Sequence, residues 1–237
     1  MDKLNIKIYA DGAVVEDMIK AYQSGIIKGF TTNPSLMKQA GVKNYEEFSR
    51  EVLKQIPDRP ISFEVFSDDL NVMEEEAKRI ASWGENVYIK IPITNSKGES
   101  TIPLIRKLSA LGLSLNITAI FTLKQVRETV ESFVEGTNNV VSVFAGRIAD
   151  SGVDPVSIMK EAAAICHEKA GTELLWASSR ELYNIFQAEE CQCDIITCTP
   201  AILNKLSTVG KNLDLLSLET VQMFNKDIQA LGYTILS

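Results

Sequence analysis

Lys90 is the residue whose setting most suggests reactivity. It lies in Val87-Tyr88-Ile89-Lys90-Ile91-Pro92, a short apolar run of strand-like composition. Alternation along a strand puts Tyr88 and Lys90 on one face and Val87, Ile89 and Ile91 on the other. With helices covering the apolar face, Lys90 points into a closed sheet. Burial disfavours an ammonium and populates the amine, and an amine can attack a carbonyl to form a Schiff base. The competing reading is a strand-end lysine whose head reaches water. Glu64, in Ile61-Ser62-Phe63-Glu64-Val65, is either the ion-pair partner of such a lysine or a proton shuttle. Asp11 follows the first apolar run and either moves protons or caps the next helix. In Thr31-Thr32-Asn33-Pro34-Ser35, Asn33 either binds a substrate hydroxyl or forms a plain capping turn before Pro34. Asn116 and Thr118 alternate with Leu115 and Ile117, so they share a face, and there they need substrate or water as partners. Ser142 belongs to the same set of polar residues near strand ends. Arg147 and Arg180, with Ser178 and helix-start amides, make either a phosphate site or two surface salt bridges.

Short apolar runs carry these residues: Asn5–Ala10, Ile27–Thr31, Ile61–Phe66, Asn86–Ile91, Leu113–Thr118, Asn139–Phe144, Glu173–Ala177 and Asp194–Cys198. Such runs read as buried parallel strands. Longer amphipathic stretches separate them. Ser67-Asp68-Asp69 opens one helix, continued by Met73, Ala77, Ile80 and Ala81, with the acidic run Glu74–Glu76 on a solvated face. Phe121-Thr122 and Asp154-Pro155 open two more, and Ser179 or Arg180 opens a further one through Leu182, Ile185 and Phe186. Eight strand-like runs, each followed by a helix-like run, predict an α/β fold, a (β/α)₈ TIM barrel. The rival is an open doubly wound sheet, weakened by the absence of a G-x-G-x-x-G fingerprint and of the Walker lysine motif. The amphipathic segment Leu215–Leu231 lies beyond the eighth unit and packs either on the barrel or on a neighbouring subunit. The expected organisation is one domain over residues 1–237, with 214–237 as a helical extension. In such a barrel the active site lies at the C-terminal ends of the strands, where the polar residues above collect.

The 237 residues carry a formal charge of −7, which argues against a nucleic-acid partner. Met1 to Lys7 lacks the apolar run of a signal peptide, and no stretch approaches a membrane span, so a cytoplasmic protein without a membrane partner is expected. Cys166, Cys191, Cys193 and Cys198 show no C-x-x-C spacing and read as free thiols. With His167 as the only histidine, placed on a probable outer helix, neither a metal site nor a catalytic triad is expected.

Taken together, Phe30-Thr31-Thr32-Asn33-Pro34-Ser35-Leu36, Val87 to Pro92, Asn116-Ile117-Thr118-Ala119-Ile120-Phe121, Ser142-Val143-Phe144-Ala145-Gly146-Arg147 and Ala177-Ser178-Ser179-Arg180 resemble the transaldolase family. The resemblance runs from Asp11 to about Thr199 and implies a (β/α)₈ barrel with Schiff-base chemistry. It implies that Lys90 bonds the C2 carbon of a ketose and that Asp11 is the acid/base at the hydroxyl of the departing aldehyde. Glu64 and Thr118 would hold a proton-shuttling water. Thr32, Asn33, Asn116, Ser142 and Phe144 would line the substrate site, and Arg147, Ser178 and Arg180 would take the sugar phosphate. No cofactor or metal is implied.

One branch of the family transfers dihydroxyacetone units in the pentose phosphate pathway; another cleaves fructose 6-phosphate. The aldolase branch typically has glutamine where Glu64 stands and tyrosine where Phe144 stands, so the resemblance favours a transaldolase. Simple fructose-6-phosphate cleavage, or a related aldolase reaction on another carbonyl substrate, is the alternative. Departures lie at Val143, Ala149-Asp150, Ser179 and Thr197-Cys198-Thr199-Pro200. The compact length resembles members that assemble as homo-oligomers through a C-terminal helix.

Overall fold

The structure, a computed structural model, describes residues 4–233, 235 and 236. Its strands are β1 Lys7–Asp11, β2 Gly29–Thr31, β3 Ile61–Glu64, β4 Val87–Pro92, β5 Leu115–Ile120, β6 Asn139–Val143, β7 Thr172–Trp176 and β8 Ile195–Cys198. All neighbours are parallel, and β1 pairs with β8, so the sheet closes into the barrel that the alternating runs predict. The intervening helices are α1 Val15–Gln23, α2 Pro34–Gln39, α3 Tyr45–Gln55, α4 Leu70–Ala81, α5 Ile102–Ala110, α6 Leu123–Ser132, α7 Ala145–Asp150, α8 Pro155–His167, α9 Asn184–Glu190 and α10 Pro200–Leu203. A last helix, α11, spans Leu213–Leu231.

Strand alternation divides the core in two. Ile8, Phe30, Phe63, Ile89, Ile117, Val141 and Trp176 face outward and are buried under the helices. Tyr9, Val140, Leu175, Ala177 and Ile195 fill the lumen, with Tyr88 and Phe144 against them. Gly29 is required at the barrel floor, because a Cβ there would lie 2.4 Å from Cζ of Tyr9. The Tyr9 ring therefore lies across β2, and the polar residues sit above it.

Local signals set the helix starts. Asp69 accepts from the amides of Asn71 and Val72, Asp154 from that of Val156, and Thr122 forms a reciprocal capping box with Gln125. Three expectations are corrected. The helix after β7 starts at Asn184, not at Ser179 or Arg180, because the Asn184 side chain accepts from the amides of Arg180 and Glu181 and holds that segment as a turn. The Glu74–Glu76 run is not simply solvated: Glu76 accepts from the amides of Phe66 and Ser67, and Glu74 takes Lys78 and Lys107. The terminal helix begins before Leu215, at an Asn212 cap, and stops at Leu231, where Gly232 takes a left-handed conformation. Thr234 and Ser237, in the expected extension over 214–237, fall outside the described residues.

No residue of α11 is buried; Leu215, Leu218, Val221, Phe224 and Ile228 are exposed along it. No helix among the described residues is long and apolar enough to cross a membrane.

Candidate active site

Lys90 is 7% exposed. It stands beside Glu64 in the β3–β4 register, both inside the barrel. Its Nζ lies 3.2 Å from Glu64 Oε2 and donates to the Thr32 carbonyl at 2.9 Å. A lysine whose head reaches water is therefore not what the fold builds. The β3 end is braced from outside by Tyr45 of α3, whose hydroxyl donates to the Glu64 carbonyl at 3.0 Å. The Tyr45 ring stacks on Phe66 and meets Phe63 and Trp83 edge-on, which fixes the hydroxyl in place.

Asp11 does not cap a helix: α1 has Val14 at its N-cap position and no side-chain cap. Its Oδ1 accepts from the Thr31 hydroxyl at 2.8 Å, inside the lumen. Burial pushes the Asp11 carboxyl above the ordinary carboxylate range, with the Lys90 charge and the Thr31 hydrogen bond pulling the other way without cancelling it.

On the opposite wall, Ser142 Oγ donates to Asn116 Oδ1 at 2.6 Å and Asn116 Nδ2 donates to Ser62 Oγ at 2.9 Å. This chain crosses β3, β5 and β6 and fixes the amide orientation. Thr118 is buried and its Oγ1 has no hydrogen-bond partner among the described residues, so it is free to bond a water or a substrate atom. Thr32 Oγ1 donates to the Ser62 carbonyl, which leaves its own carbonyl to Lys90. Asn33 caps α2 through Oδ1, which accepts from the Leu36 amide at 3.0 Å; the capping turn is therefore present, and the side-chain NH₂ is left to donate elsewhere.

The arginines lie past the ends of β6 and β7, on the far side of the mouth from Glu64. The Arg147 guanidinium sits over the Phe144 ring, 5.4 Å from its centroid. Arg180 is ion-paired with Asp150. The loop segments touch: a Cβ on Gly146 would lie 1.6 Å from the Ser178 carbonyl oxygen, and Ser178 has a φ of 63°. The geometry thus contains a salt bridge at Arg180 and an uncovered guanidinium at Arg147.

Sequence reasoning gave no role to Tyr45, Asp150, Ser62 or Thr197. Tyr45 and Asp150 sit on helices whose pattern says nothing about reach. The alternation of Ile195 and Thr197 against Ile196 and Cys198 was the available signal for Thr197. His167, at the end of α8, is exposed and 3.1 Å from Asp194, as an outer-helix residue.

A family model described as Transaldolase/Fructose-6-phosphate aldolase matches residues 8–235. The chain belongs to the transaldolase/fructose-6-phosphate aldolase family. It is similar to a probable transaldolase of Nitrosopumilus maritimus, 30% identical over 231 residues, which are 94% of this chain and 100% of that one. A probable transaldolase of Thermoplasma volcanium is 33% identical over 204 residues, 85% of this chain and 87% of the relative. Another, from a Thermoanaerobacter species, is 33% identical over 202 residues, covering 85% and 89%. For a member of this family, the full-length match means that the barrel, the buried Lys90–Glu64 pair and the late arginine-bearing loops all lie within the shared region.

Proposed function

We propose that the chain is a transaldolase that moves a dihydroxyacetone unit from sedoheptulose 7-phosphate or fructose 6-phosphate to an aldose phosphate. The observation that carries this reading is Lys90: buried in the lumen, 3.2 Å from a carboxylate and within the field of Asp11. Lys90 attacks the ketose C2, and loss of water gives a protonated imine. Glu64 is placed to exchange protons with the nitrogen, with a water on the free Thr118 hydroxyl completing the relay. Asp11 takes the proton of the C4 hydroxyl as the C3–C4 bond breaks, and the electron pair passes into the imine. The aldehyde leaves, the enamine attacks an acceptor aldehyde, Asp11 returns its proton, and water hydrolyses the imine.

Asn33, Asn116 and Ser142 bind the dihydroxyacetone portion in this scheme. Thr32 fixes the lysine and Phe144 lines the wall. Arg147, Ser178 and Arg180 take the phosphate, Arg180 by exchanging Asp150 for it. Phe144 has no proton to deliver to the enamine, which favours transfer over simple cleavage.

Borohydride reduction in the presence of fructose 6-phosphate, with peptide mapping, tests the scheme. An adduct on Lys90, lost in Lys90→Met, and turnover with erythrose 4-phosphate are expected. A missing adduct would sink the scheme, and release of free dihydroxyacetone without acceptor would favour the aldolase reading.

The reading extends to assembly and setting: a cytoplasmic enzyme of the pentose phosphate pathway, a homo-oligomer joined through α11. Apolar side chains exposed along a whole helix support a second copy as its cover. A monomeric mass in light scattering would overturn that part.

A further inference from the structure

Asp11 is not held by Thr31 alone. Thr31 Oγ1 lies 2.8 Å from Asp11 Oδ1 and 2.6 Å from Thr197 Oγ1. Thr31 is 3% exposed and Thr197 6%. In the register of the sheet Asp11 pairs with Thr31 and Tyr9 pairs with Thr197, so the contact crosses β1 beneath Asp11 and above the Tyr9 ring. A hydroxyl has one proton. An ionised Asp11 can only accept, so the Thr31 proton is committed to it, and Thr197 must donate to Thr31. When Asp11 takes a proton from substrate, the chain can reverse, with Asp11 donating to Thr31 and Thr31 to Thr197. Thr197 is itself anchored: its carbonyl accepts from Ser179 Oγ at 2.8 Å, in the loop that carries Ser178 and Arg180.

We propose that Thr197 is a positioning residue of the reaction, acting through Thr31 to hold Asp11 in one orientation and to strengthen the hydrogen bond that Asp11 accepts. Hydrogen bonds in a chain polarise one another, and a low-dielectric site amplifies this. The inference rests on the role given to Asp11 above. The charged group acting on Asp11 is Lys90 from β4, with Glu64 of β3 as its partner; Cys198 of β8 lies on the outer face of its strand, and burial pushes its thiol up to about 12. Cys198 therefore stays neutral through the working range. Lys90 keeps its own partners, Glu64 and Thr32, when Thr197 changes.

Thr197→Val removes the donor at nearly constant volume, and Thr197→Ser keeps it. Both are compared with the wild-type chain in transaldol turnover across pH, with borohydride trapping in parallel. In Thr197→Val, kcat is expected to fall roughly five- to tenfold, the worth of about one hydrogen bond. KM for the ketose phosphate is expected to hold. The acid limb should move to higher pH, because a carboxylate that loses hydrogen-bond support protonates more readily. Trapping on Lys90 should persist, and Thr197→Ser should restore both kcat and the limb. A Thr197→Val variant with the wild-type kcat and limb overturns the proposal. So does a loss of kcat that leaves the limb in place and is not restored by serine, since that is the signature of packing alone. A wild-type chain without turnover overturns the functional reading and this inference with it, whereas wild-type turnover with an unaltered valine profile overturns this inference alone.

Discussion

Replacing Gly146 by alanine should damage the phosphate end of the site while sparing the lysine. The added Cβ would lie 1.6 Å from the Ser178 carbonyl oxygen and 2.7 Å from its carbon. Both are backbone atoms, so no side-chain rotation relieves the clash. Ordinary contact requires the loop or α7 to retreat by roughly 1.8 Å. Overpacking of this kind costs about 2 kcal/mol, which in a chain of this size lowers Tm by roughly 6 °C. The segment that moves carries Ser178 and Arg180, and a displacement above an ångström at a substrate-positioning group costs on the order of a hundredfold in kcat/KM. Calorimetric unfolding reads the first effect. Steady-state kinetics with fructose 6-phosphate reads the second, and borohydride trapping with unphosphorylated dihydroxyacetone serves as the control that the lysine end is intact. A Gly146→Ala protein with unchanged Tm and unchanged kcat/KM would refute the packing argument. Equal losses for phosphorylated and unphosphorylated substrates would refute the assignment of this loop to the phosphate.

Asp11→Asn should abolish turnover yet raise stability at neutral pH. Burial raises the Asp11 pKa in the folded chain. The folded state thus holds the proton more tightly than the unfolded one, stability falls as pH rises between the two pKa values, and it is flat above them. Urea unfolding across pH checks this, and an asparagine variant that follows the wild-type slope would contradict it. Tyr45→Phe keeps the ring cluster but removes the bond to the Glu64 carbonyl, so a loss of about 1 kcal/mol in unfolding free energy is expected, with KM unchanged. All four cysteines are buried and free, with burial raising the thiols of Cys166, Cys193 and Cys198. A thiol reagent at pH 8 should therefore react only after unfolding, and a rapid stoichiometric reaction in the native protein would disprove it.

The barrel was legible because each strand announces itself as an apolar run, and because period-2 alternation needs no tertiary knowledge. The same rule put Tyr88 and Lys90 in the lumen, as found. Boundaries failed where side chains override pattern. Asn184 turns the chain after β7 by bonding two amides, and nothing in Leu182, Ile185 and Phe186 reveals that. β5 runs to Ile120, two residues beyond the expected Thr118, across a register shift in which Ala119 takes a φ of 58°. Pairings such as Arg180 with Asp150, or Thr31 with Thr197, depend on which strands become neighbours, and residue type alone leaves the alternatives open. The same limit applies to Asn33: a single Asn-Pro step reads equally as cap and as ligand, and its side chain has atoms for both.

The seam between β1 and β8 joins Lys7 to Ile195 and Ala10 to Cys198. A nascent chain that has emerged only through β7 presents two open parallel edges and lacks Thr197, so it can assemble the Lys90–Glu64 pair but not the support beneath Asp11. On the role proposed for Thr197, the full rate then arrives only with the docking of the last strand. Recovery of activity during refolding would therefore report closure of the ring, rather than the gradual accumulation of helix that circular dichroism follows.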